Sequence, residues 1–256
     1  MSQKPLVPTF GDHAGKPTVF EPNDLAFSGD DLAIRQATVS SALAGIFRGK
    51  FCDAILPNRK ATTFKKGDVI YNVGEKDRIF FFLVSGFVKL GTITADGHEL
   101  IYDVRKGGDV VGELCACQHE RPDRAVALED TEAIPVPYNE VIEVLRKQPD
   151  LLDRLVEVFC GALIEAYEQV NTLAVDDIVH RLVKALLKLA AKIGHRSGHM
   201  VDIPTYFTQE EISQIVAARR ERVSTALNFL RRRGMVRYSN HGHLTLDIKA
   251  LESYGG

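Results

Sequence analysis

The sequence has no long hydrophobic run, and this argues against a membrane-spanning helix. No apolar segment approaches the roughly 18 residues that such a helix needs. The N-terminus, MSQKPLVPTFGDHAGKP, also lacks the apolar core of a secretory signal. We therefore expect a cytoplasmic protein that does not bind membranes.

Cysteine is scarce and the net charge is small. The 256 residues include four cysteines, and the formal net charge is −2. In a cytoplasmic chain we expect such cysteines to be reduced thiols, metal ligands or redox switches rather than structural disulfides. A chain with so little net charge is not a polycation that binds nucleic acid over its whole surface.

Residue patterns that are typical of enzymes are also missing. The sequence contains no nucleophile–base constellation and no G-x-x-x-x-G-K-[ST] loop for binding phosphates. His98, His180, His195 and His199 lack the spacing of a zinc site. We therefore predict that the protein is not an enzyme.

Positive charge is concentrated near the C-terminus. Between Arg219 and Arg237 there are seven arginines and one acid, Glu221. A nearly neutral protein with one basic segment is typical of a DNA-binding domain joined to a separate sensing domain. An arginine cluster can also be only a solvated surface. The residue pattern around the cluster therefore determines whether DNA binding is the better interpretation.

That pattern predicts a winged helix-turn-helix. The stretch TQEEISQIVAARRERVSTALNFLRRR reads as two short amphipathic helices joined by a tight turn. Thr208 and Glu211 form a capping-box pattern at the start of the first helix. Two alternating runs, Met235–Tyr238 and His243–Leu246, follow around the turn Ser-Asn-His-Gly. The predicted buried positions of the two helices are Ile212, Ile215, Val216, Val223, Ala226, Leu227 and Leu230.

Upstream of this motif the hydrophobic period is that of strands. From Ala61 to Pro137, runs of β-branched and aromatic residues alternate with turn residues about every 8 to 12 positions, which indicates an antiparallel sandwich or barrel. Asp96-Gly97 is a strong signal for a two-residue hairpin turn. Residues 1–28, rich in proline, glycine and polar side chains, are predicted to be a flexible arm. A weak helical pattern follows over residues 30–51.

A long helix is predicted from Pro149 onward. Its apolar residues recur at alternating 4- and 3-residue steps, which gives a coiled-coil seam about three heptads long. The seam consists of Leu152, Val156, Phe159, Leu163, Ala166, Val170 and Leu173. Such a stripe can pack on the chain's own barrel or on a second copy, and we favour the dimer because paired DNA half-sites need paired recognition helices. Asp176-Asp177 then ends the helix and can cap the next one, which precedes a predicted loop at Gly194–His199.

The order of barrel, long helix, hinge and winged helix-turn-helix resembles that of the CRP/FNR superfamily of bacterial transcription regulators. The resemblance lies in KKGDVIYNVGEKDRIFFFLVSGFVKLGTITADGHEL, in GGDVVGEL followed by AVALEDTEA, and in QEEISQIVAARRERVSTALNFLRRRGMV. It implies an α+β fold with four parts. These are the flexible arm at 1–28, an effector-sensing, jelly-roll-like antiparallel β-roll at 29–148, a dimerisation helix at 149–175 and a C-terminal winged helix-turn-helix at 176–256.

The resemblance also implies that the second helix of the motif enters the major groove of double-stranded DNA. By position, Arg220 and Glu221 are the base readers, which suits palindromic DNA with TGTGA-like half-sites. Ser224 and Thr225 stand where members of the cyclic-AMP type have a further arginine. RNA polymerase is implied as a second partner. The implied DNA-binding residues are Thr208, Gln209, Arg219, Arg220, Glu221, Arg222, Ser224 and Thr225.

Departures from the family's cyclic-nucleotide pattern argue against cyclic AMP as the effector. Members that bind cyclic nucleotides hold the ribose with a Gly-Glu pair and the phosphate with an arginine followed by a small hydroxyl residue. Pro122 follows Arg121 here, and Ala125 follows Arg124, so neither arginine has that neighbour, while Asp123 adds an unfavourable negative charge. The candidate effector-binding residues are Gly112, Glu113, Leu114, Arg121, Arg124 and, on the long helix, Tyr167.

Cys115, Cys117 and His119 offer a second kind of candidate site. Thiolate and imidazole ligands can bind iron or zinc, and a Cys-x-His pair at this place resembles the haem ligation of the family's carbon-monoxide sensor. The cofactor stays open between haem, a nucleotide other than cyclic AMP, a thiol redox switch and no ligand at all. The alternative function is a cyclic-nucleotide-type regulatory module that acts on a protein partner instead of DNA.

Overall fold

The computed structural model describes residues 50–116, 120–238 and 242–255. The predicted arm at 1–28, the helical pattern up to residue 49 and residues 239–241 of the predicted turn lie outside these ranges. Within them, no helix is long and apolar enough to cross a bilayer.

The N-terminal half is built from strands, as the sequence predicts. A short helix, α1 (Lys50–Ile55), precedes them, and a 3-10 helix, η1 (Glu113–Ala116), interrupts them. The strands are β1 (Thr62–Phe64), β2 (Val69–Tyr71), β3 (Ile79–Ser85), β4 (Phe87–Ile93), β5 (Glu99–Lys106), β6 (Val110–Val111), β7 (Arg124–Ala127) and β8 (Thr131–Pro137). They form two four-stranded antiparallel sheets in the orders β1-β8-β3-β6 and β2-β7-β4-β5, which face each other as a roll.

Two helices cover the outer face of the first sheet. They are α2 (Tyr138–Arg146) and the long helix α3 (Pro149–Val175). Strand β3 is apolar from position 79 to 84, and residues 80–83 are buried because both faces of the strand are covered there. Phe81 and Leu83 pack between the sheets, whereas Phe80 and Phe82 pack against the helices. Each buried phenylalanine contributes about 1.5–3 kcal/mol to folding, so β3 anchors both layers.

The hairpin between β4 and β5 forms at the predicted place with a longer turn than predicted. The N–H of Thr94 donates to the carbonyl of His98 at 2.8 Å, so three residues lie inside the closing pair rather than two. Gly97 has a φ of 83°, the left-handed conformation that ends a three-residue hairpin loop. The Asp-Gly pair therefore marks the hairpin but occupies the end of its loop.

The second half begins where α3 ends. Asp177 caps helix α4 (Ile178–Ile193), because its Oδ1 accepts from the N–H groups of Val179 and His180 at 2.8 and 3.0 Å. This confirms the helix boundary that Asp176-Asp177 predicts.

The loop predicted at Gly194–His199 is wrong. Strands β9 (His195–Ser197) and β10 (Met200–Asp202) pair there as an antiparallel hairpin. All three residues of β9 are exposed, so the strand has no apolar alternation by which the sequence could show it. Backbone pairing alone defines it.

The predicted winged helix-turn-helix follows. It consists of α5 (Gln209–Val216), α6 (Arg220–Arg232), β11 (Val236–Tyr238), β12 (Leu244–Asp247) and a final helix, α7 (Ile248–Gly255). The wing strands join the earlier hairpin in one sheet, in the order β11-β12-β10-β9. The core of this domain includes Ile101 and Val104 of β5, and β5 contacts both α4 and α5. The C-terminal domain is therefore docked on the roll.

Candidate DNA-binding surface and effector region

The first helix of the motif starts at the predicted capping box. The Thr208 hydroxyl accepts from the Glu211 N–H at 3.1 Å, and the Glu211 carboxylate accepts from the Thr208 N–H at 3.0 Å. Two otherwise unpaired backbone donors of the helix start are satisfied in this way. Ile212 and Val216 are buried, as predicted. The capping box thus fixes where α5 enters the motif.

The turn between α5 and α6 is held from outside by Arg181 of α4. Its guanidinium donates to the carbonyls of Val216 and Ala217, the latter at 2.7 Å. Carbonyls at the end of a helix have no partner within it, so Arg181 caps α5. Burial and the neighbouring charge of Arg222 both lower the pKa of Arg181. Sequence reasoning missed this residue, since nothing in the local pattern around α4 points to the turn.

Ala217 has a left-handed backbone, with φ 52° and ψ 51°. This conformation costs a residue with a Cβ roughly 1 kcal/mol. We predict that Ala217→Gly raises the free energy of unfolding by about 0.5–1 kcal/mol, measured by urea denaturation. The neighbouring Ala218→Gly change relieves no such strain and should lower stability instead. Equal effects of the two changes would contradict this account of the turn.

Helix α6 buries one face and exposes the other. The predicted apolar positions Val223, Ala226, Leu227 and Leu230 are all buried. The exposed positions include most of the predicted DNA contacts, namely Arg219, Arg220, Glu221, Arg222 and Thr225, together with Gln209 on α5. Thr208 and Ser224 are half-buried. The Thr225 hydroxyl donates to the Glu221 carbonyl at 2.9 Å, so toward DNA it can act as an acceptor.

A basic groove of about 600 Å³ continues this exposed face toward the wing. It is lined by Asn228, Arg231, Arg232, Val236, Arg237 and Tyr238. Arg231 lies over the ring of Tyr238, 5.1 Å from its centroid. Guanidinium groups beside a reading helix are typical of phosphate contacts. The number of arginines in the sequence predicts a basic surface here. The sequence could not show that residues of both α6 and the wing form this surface.

Arg121 is fully buried and already paired within the roll. Its guanidinium donates to the Asp77 carboxylate at 2.8 and 3.3 Å and to the Ile79 carbonyl at 2.8 Å. It also lies 4.0 Å from the ring centroid of Tyr71. Gly112, with a φ of 87°, permits this packing, because a Cβ there would come within 2.9 Å of Arg121 Nη1. The donors of Arg121 are thus engaged by the protein itself.

Two further carboxyl groups of this region are buried, those of Glu113 and Asp123. Glu113 begins η1, next to the half-buried Leu114, and burial raises the pKa of its carboxyl against the opposing effect of Arg105. Burial likewise raises the pKa of Asp123, which accepts a hydrogen bond from the Tyr71 hydroxyl at 2.9 Å. Two acidic side chains therefore lie among the arginines of this region, and burial favours their neutral forms.

Arg124 is the more accessible of the two candidate arginines. Its Nη1 lies 3.6 Å from Glu99, and its side chain is 18% exposed. Tyr167 lies on α3 and is 61% exposed. Its side chain is therefore not enclosed in a pocket of its own chain's roll.

The predicted seam of α3 is an exposed apolar stripe. Its large members Leu152, Val156, Phe159, Leu163, Val170 and Leu173 are 37–61% exposed, and Ala166 is also exposed. Helix α3 packs on the roll and its helices through other positions, including Leu155 and Val158. Among residues 50–116, 120–238 and 242–255, the stripe is thus not used for packing within the single chain.

Of the candidate metal-binding residues, Cys115 lies within η1. Cys115 is buried, and burial raises the pKa of its thiol, which disfavours the reactive thiolate. Cys117 and His119 lie outside the described residues. Within the described ranges, no three metal-ligating side chains come together.

A β-roll, a long helix with an apolar stripe and a winged helix-turn-helix with a basic face define a DNA-binding transcription regulator. Residues 61–148 match the family model of the cyclic nucleotide-binding domain, and residues 180–254 match that of the Crp-like helix-turn-helix domain. The chain belongs to the CRP/FNR family of transcription regulators.

Similar proteins match over nearly their whole length. The transcriptional regulator SdrP of Thermus thermophilus is 30% identical over 199 residues, which cover 76% of this chain and 93% of that protein. A CRP-like cAMP-activated global transcriptional regulator of Mycobacterium tuberculosis is 28% identical over 214 residues, or 82% and 96% of the two chains. The solved structure of a CRP/FNR-family regulator from Thermus thermophilus is 29% identical, with a TM-score of 0.61 over 77% of this chain and 98% of that one.

Proposed function

We propose that the protein is a homodimeric, sequence-specific transcription regulator, controlled allosterically through its roll. The observation that carries this proposal is the joint exposure of the apolar stripe on α3 and of the Arg220-Glu221 pair on α6. A two-fold dimer through α3 presents two recognition helices to a palindromic site. In this proposal residues 29–148 sense the signal, 149–175 dimerise and 176–256 bind DNA, and RNA polymerase is the downstream partner.

In the proposed complex, Arg220 and Glu221 read base edges of TGTGA-like half-sites. Arginine can bond guanine bidentately, and a carboxylate can accept from the amino group of cytosine. Arg219, Arg222 and the capping residue Thr208 contact the DNA backbone beside them. The groove between α6 and the wing extends these phosphate contacts through Arg231, Arg232 and Arg237.

The proposed effector is not cyclic AMP. The Mycobacterium tuberculosis relative is described as cAMP-activated, but Arg121 of this chain is engaged by Asp77. A phosphate at this place would have to displace that carboxylate and would lie near the buried Asp123. Glu113 and the partly exposed Arg124 are the charged groups that we propose for effector contact.

The base-reading role is tested by Arg220→Ala. The probe is a duplex with two inverted TGTGA half-sites, their centres about one helical turn, roughly 10 bp, apart. The variant dimer loses this guanine contact in both half-sites, at about 1–3 kcal/mol each, so binding should weaken by about 2–6 kcal/mol, or roughly 30-fold or more. The loss should be small on a duplex in which that guanine is replaced. Unchanged discrimination between the two duplexes would remove Arg220 from its assigned role.

Arg232→Ala is the matched control, because it removes the same side chain from the other end of α6. As a phosphate contact, Arg232 should matter equally for both duplexes, and its loss from both protomers should reduce the salt dependence of binding by about two ions. A titration over several salt concentrations therefore distinguishes base-specific contacts from phosphate contacts.

A further inference from the structure

A continuous row of buried charges runs from η1 to the DNA-binding domain. Glu113 Oε1 lies 3.4 Å from Arg105 Nη2, and Arg105 Nε lies 2.8 Å from Asp103 Oδ2. The other oxygen of Asp103 lies 2.5 Å from Lys192 Nζ. Lys192 lies 3.5 Å from Glu165, which also pairs with Lys188. We call these six residues the charge row.

The charge row joins three parts of the molecule that must act together in a regulator. Glu113 belongs to η1 in the proposed effector region, and Arg105 and Asp103 lie on β5 of the roll. Lys188 and Lys192 lie on α4 of the DNA-binding domain, and Glu165 lies on the long helix α3. The row thus reaches the effector region, the helix with the apolar stripe and the DNA-binding domain without a break.

Burial makes each member of the charge row depend on its neighbours. No side chain in the row is more than 20% exposed, and that of Lys192 is 4% exposed. Burial by itself would raise the pKa of Asp103, but Arg105 and Lys192 outweigh it and hold this pKa at about 2. Three acids and three bases leave no net charge in the row. Loss of one charge therefore leaves a buried neighbour under-compensated, which favours a rearrangement of the row.

The DNA-binding domain is docked around this row. Ile101 and Val104 of β5 share one apolar core with α4 and α5. A second ion pair, Lys89 to Glu211 at 3.4 Å, ties β4 to the capping residue of α5. The charge row is the part of this contact that continues into the effector region.

We propose that Lys192 is the positioning residue through which the state of Glu113 sets the orientation of the DNA-binding domain. Arg105 is shared between Glu113 and Asp103, and Asp103 is shared between Arg105 and Lys192. When Glu113 binds a ligand or loses its charge, Arg105 pairs more fully with Asp103. The ion pair between Asp103 and Lys192 then weakens. This inference rests on the proposed function, since it assigns the route by which the roll controls DNA binding.

The test is a double-mutant cycle of Glu113→Gln and Lys192→Met, both of which preserve side-chain size. Binding is measured on the duplex with two inverted TGTGA half-sites. Glu113→Gln alone should change the Kd by about fivefold or more, as is typical of allosteric coupling. In the Lys192→Met background the same change should alter the Kd by less than about twofold. Lys192→Arg, which keeps the charge, should restore the sensitivity to Glu113→Gln.

Lys184→Met provides the matched control, because Lys184 lies on the same helix and pairs with Asp176 outside the charge row. The effect of Glu113→Gln should be the same with or without this change. Additive effects of Glu113→Gln and Lys192→Met would overturn the proposal, as would equal coupling at Lys184.

Hydrogen exchange without DNA separates this inference from the proposed function. Exchange of the α4 amides near Lys192 should rise several-fold in Glu113→Gln and should not rise further when Lys192→Met is added. If no variant binds the duplex but exchange shows this pattern, the DNA-binding proposal fails and the coupling stands. If the duplex is bound but exchange in α4 is insensitive to Glu113→Gln, the role of Lys192 is refuted.

Discussion

Replacing Leu163 with glutamate is expected to leave the protein monomeric at micromolar concentration. It should also weaken binding to the duplex with two half-sites by about 100-fold or more, because joining two binding modules raises affinity by factors of about 10² to 10⁴. Leu163 lies in the middle of the apolar stripe on α3 and is 52% exposed in the single chain. A carboxylate buried opposite its two-fold copy would be desolvated without a partner.

Ala162→Glu is the control for this prediction. Ala162 is exposed on the same helix, but one residue along an α-helix is a rotation of about 100° around its axis. The same charge is therefore added outside the stripe, and the dimer should persist. Light scattering after size-exclusion chromatography gives the mass, and a titration gives the DNA affinity. A dimeric Leu163→Glu variant would show that the stripe is not the dimer interface.

Replacing Arg121 with glutamine is expected to lower the free energy of unfolding by about 3 kcal/mol. Breaking a buried ion pair typically costs 3–5 kcal/mol, and the lower figure applies because Asp77 is 37% exposed and can be hydrated. The change also leaves the Ile79 carbonyl without its charged donor and removes the cation from the face of Tyr71. Urea denaturation followed by circular dichroism measures the loss.

Arg124→Gln tests whether this cost is specific to Arg121. Arg124 lies three residues away, and its pairing with Glu99 is longer, at 3.6 Å, so its replacement should cost about 1 kcal/mol or less. If Arg121→Gln were as stable as the unmodified protein, the pairing with Asp77 would not be structural. Arg121 would then be available to a ligand.

Much of the fold could be predicted because it follows from local patterns. The unbroken apolar run of β3 indicates a strand covered on both faces, and the spacing of Val223 and Leu227 indicates the buried face of α6. Thr208 with Glu211 and Asp177 with the helix after it are capping signals within four residues. Each of these interactions joins positions close in sequence, so the sequence carries them directly.

The parts that could not be predicted join distant positions. Arg121 pairs with Asp77 across 44 residues, and Lys192 pairs with Asp103 across 89 residues. The sequence gives the charge of each side chain but not its partner, so Arg121 reads as a free ligand-binding arginine until its surroundings are known. Arg105 reads as an ordinary strand residue for the same reason.

The cap that Arg181 places on the end of α5 has a consequence for protein engineering. A designer who wishes to transplant the DNA specificity of this protein would naturally graft residues 208–233 into a related scaffold. The angle of the grafted α6 would then depend on whether the host offers a guanidinium at the position of Arg181. The smallest segment that can be transplanted with its DNA specificity therefore begins at α4, some 30 residues before the motif itself.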